Sequence, residues 1–181
     1  MIRGVHHTNL ATGDLDRLLA FYCDLLGFEV AWRNEWEPGA ELADTILGLQ
    51  GTSVRMAMVR AGNTFIEIMQ YRQPQGRPGA PDRPPCDHGL VHLCFDVTDI
   101  HAEHRRLADA GVPFNSEPVL VDGLYSVYGR DPDGNLFELQ ELLSEDHFLA
   151  LPWLPTRPDP AGAASTAPSP PVGWKSGVSS S

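Results

Sequence analysis

Apolar residues at Leu15, Leu18, Leu19, Tyr22, Leu25 and Leu26 recur with the 3.6-residue period of a helix buried along one face. Asp14 stands in front of this run as an N-cap, and Gly27 behind it as the residue that lets the chain turn out of the helix. A strand-like run, Val5 to Leu10, precedes the helix, and Gly27-Phe28-Glu29-Val30 begins a strand after it. Two further β-rich runs, Val54 to Val59 and Thr64 to Met69, flank the turn residues Ala61-Gly62-Asn63. The same order then returns. Leu90 to Phe95 leads through Asp99 to Ile100, Leu107 and Ala110, then to Gly111-Val112-Pro113-Phe114. Two more short runs follow, Ser126 to Gly129 and Asn135 to Leu139, around Asp131-Pro132-Asp133-Gly134.

His7 and His92 lie 85 positions apart, and so do Asp14 and Asp99. A repeat of this kind decides the architecture. The expected fold is α+β, with two tandem βαβββ modules forming a curled, trough-like mixed sheet and helices outside. The first module takes residues 1–72, a Pro/Gly-rich linker residues 73–87, and the second module residues 88–148. Residues 149–181 read as a disordered tail, because from about Pro155 the chain is Pro, Ala, Ser and Gly with few large apolar groups. Arg33 to Leu49 is an insertion in the first module that reads as a short helix or lid.

Composition narrows the partners. With 13 Lys and Arg against 24 Asp and Glu, the formal net charge is −11, which disfavours a phosphate-backbone partner, so neither DNA nor RNA is expected. No apolar stretch approaches the roughly 20 residues of a membrane span, and no leader segment is expected, so neither is a membrane. The three cysteines Cys23, Cys86 and Cys94 have no CxxC spacing, which argues against a disulfide framework and fits a reducing cytoplasm.

Strand alternation places His7 and Asn9 on one face of the first strand, and His92 and Cys94 on one face of its counterpart. Each module's last strand sets one carboxylate among large apolar residues: Phe65-Ile66-Glu67-Ile68-Met69 and Leu136-Phe137-Glu138-Leu139. A lone histidine at a strand start is usually an ordinary surface or core residue, and a lone strand glutamate usually faces solvent. Repetition of the pair, His early and Glu late in both modules, points instead to one divalent cation held by His7, Glu67, His92 and Glu138. Imidazole nitrogen and carboxylate oxygen together suit Ni, Co, Zn, Mn or Fe. A trough that curls far enough brings all four inward. His6 faces away by alternation and reads as structural or surface.

The stretches His7-Thr8, Gly13-Asp14-Leu15, Phe21-Tyr22, Leu26-Gly27-Phe28, Phe65-Ile66-Glu67, Val91-His92-Leu93 and Arg130 to Glu138 resemble the vicinal-oxygen-chelate superfamily over residues 3–143. That superfamily includes glyoxalase I, methylmalonyl-CoA epimerase, extradiol dioxygenases and drug-resistance proteins. The resemblance implies the same four metal ligands and modules completed by dimerisation, so a homodimer is expected. The ligand set is similar to that of glyoxalase I. The resemblance departs from bacterial glyoxalase I at Ala11 and Tyr71, where that family carries an arginine and an asparagine for glutathione.

The expected chemistry is therefore a metal-dependent lyase or isomerase step, a proton transfer next to a carbonyl of a small-molecule substrate. Glu138 is the expected base and Glu67 the alternate. Two other readings stand beside it. An Fe(II) extradiol-type dioxygenase would use His7, His92 and Glu138 with Tyr125 or Tyr128 nearby, and is opposed by the additional carboxylate of Glu67. A non-catalytic small-molecule or drug-binding protein would line its pocket with Trp32, Trp36, Phe65 and Tyr71. Arg33 and Arg130 are candidates for holding an anionic group.

Overall fold

The computed structural model describes residues 1–151. The tail expected over 149–181 therefore lies almost wholly outside the described residues. In the first module, strand β1 (His7–Thr12) leads into helix α1 (Leu15–Leu19), which continues directly as a π-helical segment, Ala20–Leu25. Strand β2 (Glu29–Trp36), helix α2 (Glu41–Leu47), and strands β3 (Ser53–Ala61) and β4 (Thr64–Gln73) complete it. The second module repeats the plan with β5 (His92–Asp96), α3 (Ile100–Asp109), β6 (Val119–Val121), β7 (Leu124–Arg130) and β8 (Leu136–Leu142). Helix α2 falls within the insertion between residues 33 and 49.

Each module builds its own four-stranded mixed sheet, in the orders β1-β4-β3-β2 and β5-β8-β7-β6. The first strand of each module lies parallel to the last, and the other neighbours are antiparallel. The helix starts match as well. Asp14 Oδ1 accepts from the Arg17 amide, and Asp99 Oδ1 accepts from the Ala102 amide, each satisfying a free donor of a first turn.

One core joins the modules. Leu15, Leu18, Phe21 and Tyr22 from the first helix pack with Ile66 and Ile68 of β4, and also with Ile100, Leu107, Phe137 and Leu139 of the second module. Burying side chains of this size contributes roughly 1.5–3 kcal/mol each. Packing at the centre is close enough to dictate residue size: a Cβ at Gly129 would meet Phe137 at 2.6 Å and Phe114 at 2.9 Å.

A second device ties the modules. Asp131, only 4% exposed, accepts hydrogen bonds from the Asp133 and Asn135 amides, the Asn135 side chain, and the Tyr22 hydroxyl at 3.0 Å. The carboxylate thus shapes the Asp131–Asn135 turn and anchors it to the helix of the other module. Burial raises the Asp131 carboxyl from its ordinary range, and the Asn135, Tyr22 and Asp133 hydrogen bonds oppose that shift. Burial, followed by the Asp131 charge, raises the Tyr22 hydroxyl. Among the described residues no helix is long and apolar enough to cross a membrane.

Candidate functional site

In β1, His7 lies directly across from Phe65 of β4, and Asn9 across from Glu67. In β5, His92 lies across from Leu136 of β8, and Cys94 across from Glu138. Each histidine is therefore one diagonal step from its glutamate on the same sheet face, and the two ladders are equivalent position for position. That face is turned away from the joint core, because Ile66 and Ile68, on either side of Glu67, are core residues, as are Phe137 and Leu139 beside Glu138. His7 Nε2 stands 3.7 Å from Glu67 Oε2, and His92 Nε2 stands 3.2 Å from Glu138 Oε2.

The two pairs have different supports. At the first, the Asn9 side-chain Nδ2 donates to Glu67 Oε2 at 2.9 Å. At the second, the Ser126 hydroxyl donates to Glu138 Oε1 at 2.5 Å, and Tyr128 lies across the ladder from Glu138 with its ring edge-on to His92 at 5.0 Å. Burial first, then the Glu138 charge and hydrogen bond, raise both the Tyr128 hydroxyl and the Cys94 thiol. Burial and then the Glu67 charge raise the Tyr71 hydroxyl. All three groups keep their protons near neutrality; Tyr128 and Cys94 serve as donors toward Glu138, while the Tyr71 hydroxyl donates to the Met69 sulfur at 3.7 Å.

The four expected ligands come together as two pairs and not as one cluster: among the described residues no group of three or more His, Cys, Asp or Glu side chains is placed to hold a metal ion. The reason lies in the division of the strands. Each sheet carries its own His–Glu pair, whereas the expectation of a single gathering required one trough to bring all four inward.

His6 also differs from expectation. β1 begins at His7, so strand alternation does not govern the residue before it. The His6 ring stacks on Phe65 at 5.4 Å, and its Nδ1 shares a 2.9 Å hydrogen bond with His7 Nδ1. It therefore orients His7, a role that alternation alone conceals. Asn9 and Ser126 were likewise not singled out. Asn9 was detectable as the residue sharing a strand face with His7, while Ser126 depends on the β7–β8 register.

The aromatic candidates divide. Trp36 donates to Thr52 Oγ1 at 2.8 Å and packs with Tyr71, Leu47 and Met58 around Val54, Met56 and Met69. These residues form a second apolar cluster beyond the end of the first His–Glu pair. Phe65 lies beside His7 beneath the Arg60 guanidinium, Trp32 is 43% exposed, and Tyr125 pairs with His101 at 4.8 Å. Arg130 binds the carbonyl oxygens of Pro81, Arg83 and Gly134 and so holds the linker against the Asp131–Asn135 turn. Arg33, on β2, pairs in register with Ala57 of β3, apart from either His–Glu pair.

Comparison with known proteins agrees with this architecture. A 2-epi-5-epi-valiolone epimerase of Actinomyces sp. is 30% identical over 76% of this chain and 79% of its own length. A probable lactoylglutathione lyase of Synechocystis sp. is 27% identical over 77% of this chain and 95% of its own. The solved structure of a glyoxalase family protein from Bacillus cereus superposes with a TM-score of 0.70 at 24% identity, covering 80% of this chain and 96% of that one. The family model described as the glyoxalase/bleomycin resistance protein/dioxygenase superfamily matches residues 4–139. With its paired βαβββ modules and equivalent His–Glu ladders, the chain belongs to that superfamily.

Proposed function

We propose that the protein is a metal-dependent lyase or isomerase that moves a proton next to a carbonyl of a small-molecule substrate. In this reading two copies form a homodimer, and one divalent ion is held by His7 and Glu67 of one copy with His92 and Glu138 of the other. The observation that carries it is the repeated His–Glu pair, set at the same ladder positions on the open faces of both sheets. One pair offers one nitrogen and one carboxylate, too few donors to hold an ion tightly; two pairs supply two nitrogens and two carboxylates. A bound divalent ion would supply Lewis-acid polarisation of the substrate oxygens.

The protein's own groups do the rest. Glu138 is the base, with the Ser126 hydroxyl fixing one carboxylate oxygen and leaving the other toward His92. Glu67, steadied by Asn9, is the alternate. His6 holds the His7 ring through Nδ1 and leaves Nε2 facing Glu67. Ala11 and Tyr71 stand where a glutathione-specific relative would carry arginine and asparagine, which supports a substrate other than a glutathione adduct.

The test is elemental analysis of protein purified without chelator, alongside His92→Ala. About one divalent ion per chain, lost in the variant, is the expected result. Absence of metal from the wild type, even after reconstitution with Ni, Co, Zn, Mn or Fe, would refute the reading and leave a small-molecule binding protein.

A further inference from the structure

The linker and the two modules enclose a cleft of about 960 Å³, at the upper end of the range for small-molecule sites. The cleft runs from the end of β1 and β4, past the linker, to Leu90, Val91 and Leu136. Its charge is opposite to that of the chain. Arg17, Arg72, Arg77, Arg83 and Arg130 line it against one carboxylate, Asp133, in a protein of net charge −11.

The five guanidiniums are not equally engaged. Arg17 is paired with Asp133, and Arg72 with Glu37 at 2.8 Å and Glu35 at 3.6 Å. Arg83 reaches the carbonyls of Asp87, His88 and Leu90, with the Asp87 carboxylate at 3.9 Å. Arg130 binds carbonyl oxygens only, which satisfy its donors without neutralising its charge. Among the described residues Arg77 has neither a hydrogen-bond nor an ion-pair partner. A concave surface with unmatched charge of one sign concentrates counter-ions, and the planar guanidinium fork matches carboxylate and phosphate oxygens.

We infer that this cleft binds a small molecule carrying two or more anionic oxygens, as phosphate or carboxylate groups, with Arg77 as its principal contact and Arg130 as a fixed positive charge behind it. Leu136 lies directly across the ladder from His92, so the apolar end of the cleft borders the second His–Glu pair. The inference does not depend on the metal.

Calorimetric titration of the full-length, metal-stripped protein with inorganic pyrophosphate, and separately with propane-1,2,3-tricarboxylate, tests it. Saturable binding of at least one probe is expected, and the tighter of the two identifies the anion class. Arg77→Ala is expected to weaken binding about tenfold and Arg77→Glu to abolish it, as loss of a charge-assisted contact requires. Arg105→Ala on α3 changes the net charge equally and lies outside the cleft, so it should leave binding unchanged. No saturable binding of either probe, or equal weakening by Arg105→Ala, would overturn the proposal. So would binding that survives Arg77→Glu but is lost in His92→Ala, since that would place the anion at the His–Glu pair.

Discussion

Ser126 and Asn9 show how two equivalent carboxylates acquire different surroundings. Asn9 reaches Glu67 from the neighbouring parallel strand, and Ser126 reaches Glu138 from the antiparallel strand on its other side. A hydrogen bond of this kind fixes which carboxylate oxygen points toward the adjoining imidazole, and loss of such an orienting partner typically costs about 10–100-fold in metal affinity. We therefore predict that Ser126→Ala retains its fold but loses its divalent ion to a competing chelator at a 10–100-fold lower chelator concentration. Retention equal to the wild type would mean that this hydrogen bond does not orient Glu138. His6 makes the complementary point. Its identity suggests nothing beyond a neighbour of His7, and only its position just before β1 lets its ring turn onto Phe65.

Among the elements, α2 is tied to the start of β3 through one carboxylate. Asp44 accepts from the Gly51 amide at 2.7 Å, the Thr52 amide at 3.0 Å and the Thr52 hydroxyl at 2.5 Å, closing the loop after the helix onto β3. The Thr52 side-chain hydrogen bond first, then the Thr52 amide, hold the Asp44 carboxyl below its ordinary value of 3.8. A lowered carboxylate stabilises the fold above its unfolded value, and that contribution disappears as pH falls through the folded value. The difference in urea midpoint between wild type and Asp44→Ala should therefore be clear near pH 6 and shrink as the pH falls below the ordinary value of 3.8. A difference that stays constant across this range would show that the Asp44 charge is not involved.

Legibility follows the same physics. The Leu15–Leu26 periodicity reveals a helix because one face must be buried, and the Asp14 and Asp99 caps show clearly where the helices begin. The π-helical turn of Ala20–Leu25 was not legible, since six residues cannot separate its period from 3.6. The His–Glu pairs were legible because register within a strand pair is local and the repeat shows it twice. The separation of those pairs into two sheets was not, because it rests on contacts between modules, such as Phe21 with Phe137 at 5.7 Å, that no local pattern encodes.

At the scale of the whole molecule, the residues that carry the family resemblance divide between those that hold the fold and those proposed to carry chemistry. Phe21, Tyr22 and the Asp131–Asn135 turn lock the helix of one module against the other, which leaves both His–Glu faces turned outward from a common core. In the proposed reading a metal site made from both pairs draws them from two copies, and complementation can detect it. The His7→Ala chain keeps His92, and the His92→Ala chain keeps His7. Neither variant alone forms a complete site in a homodimer. If the site spans two copies, a mixed dimer joins the intact His7 of one chain to the intact His92 of the other, leaving its second site without either histidine. Unfolding and refolding the two variants together should therefore restore one divalent ion per mixed dimer, read by elemental analysis after separation on differently tagged chains. Sites confined to single chains would recover no metal on mixing, because each chain would still lack one of its own histidines.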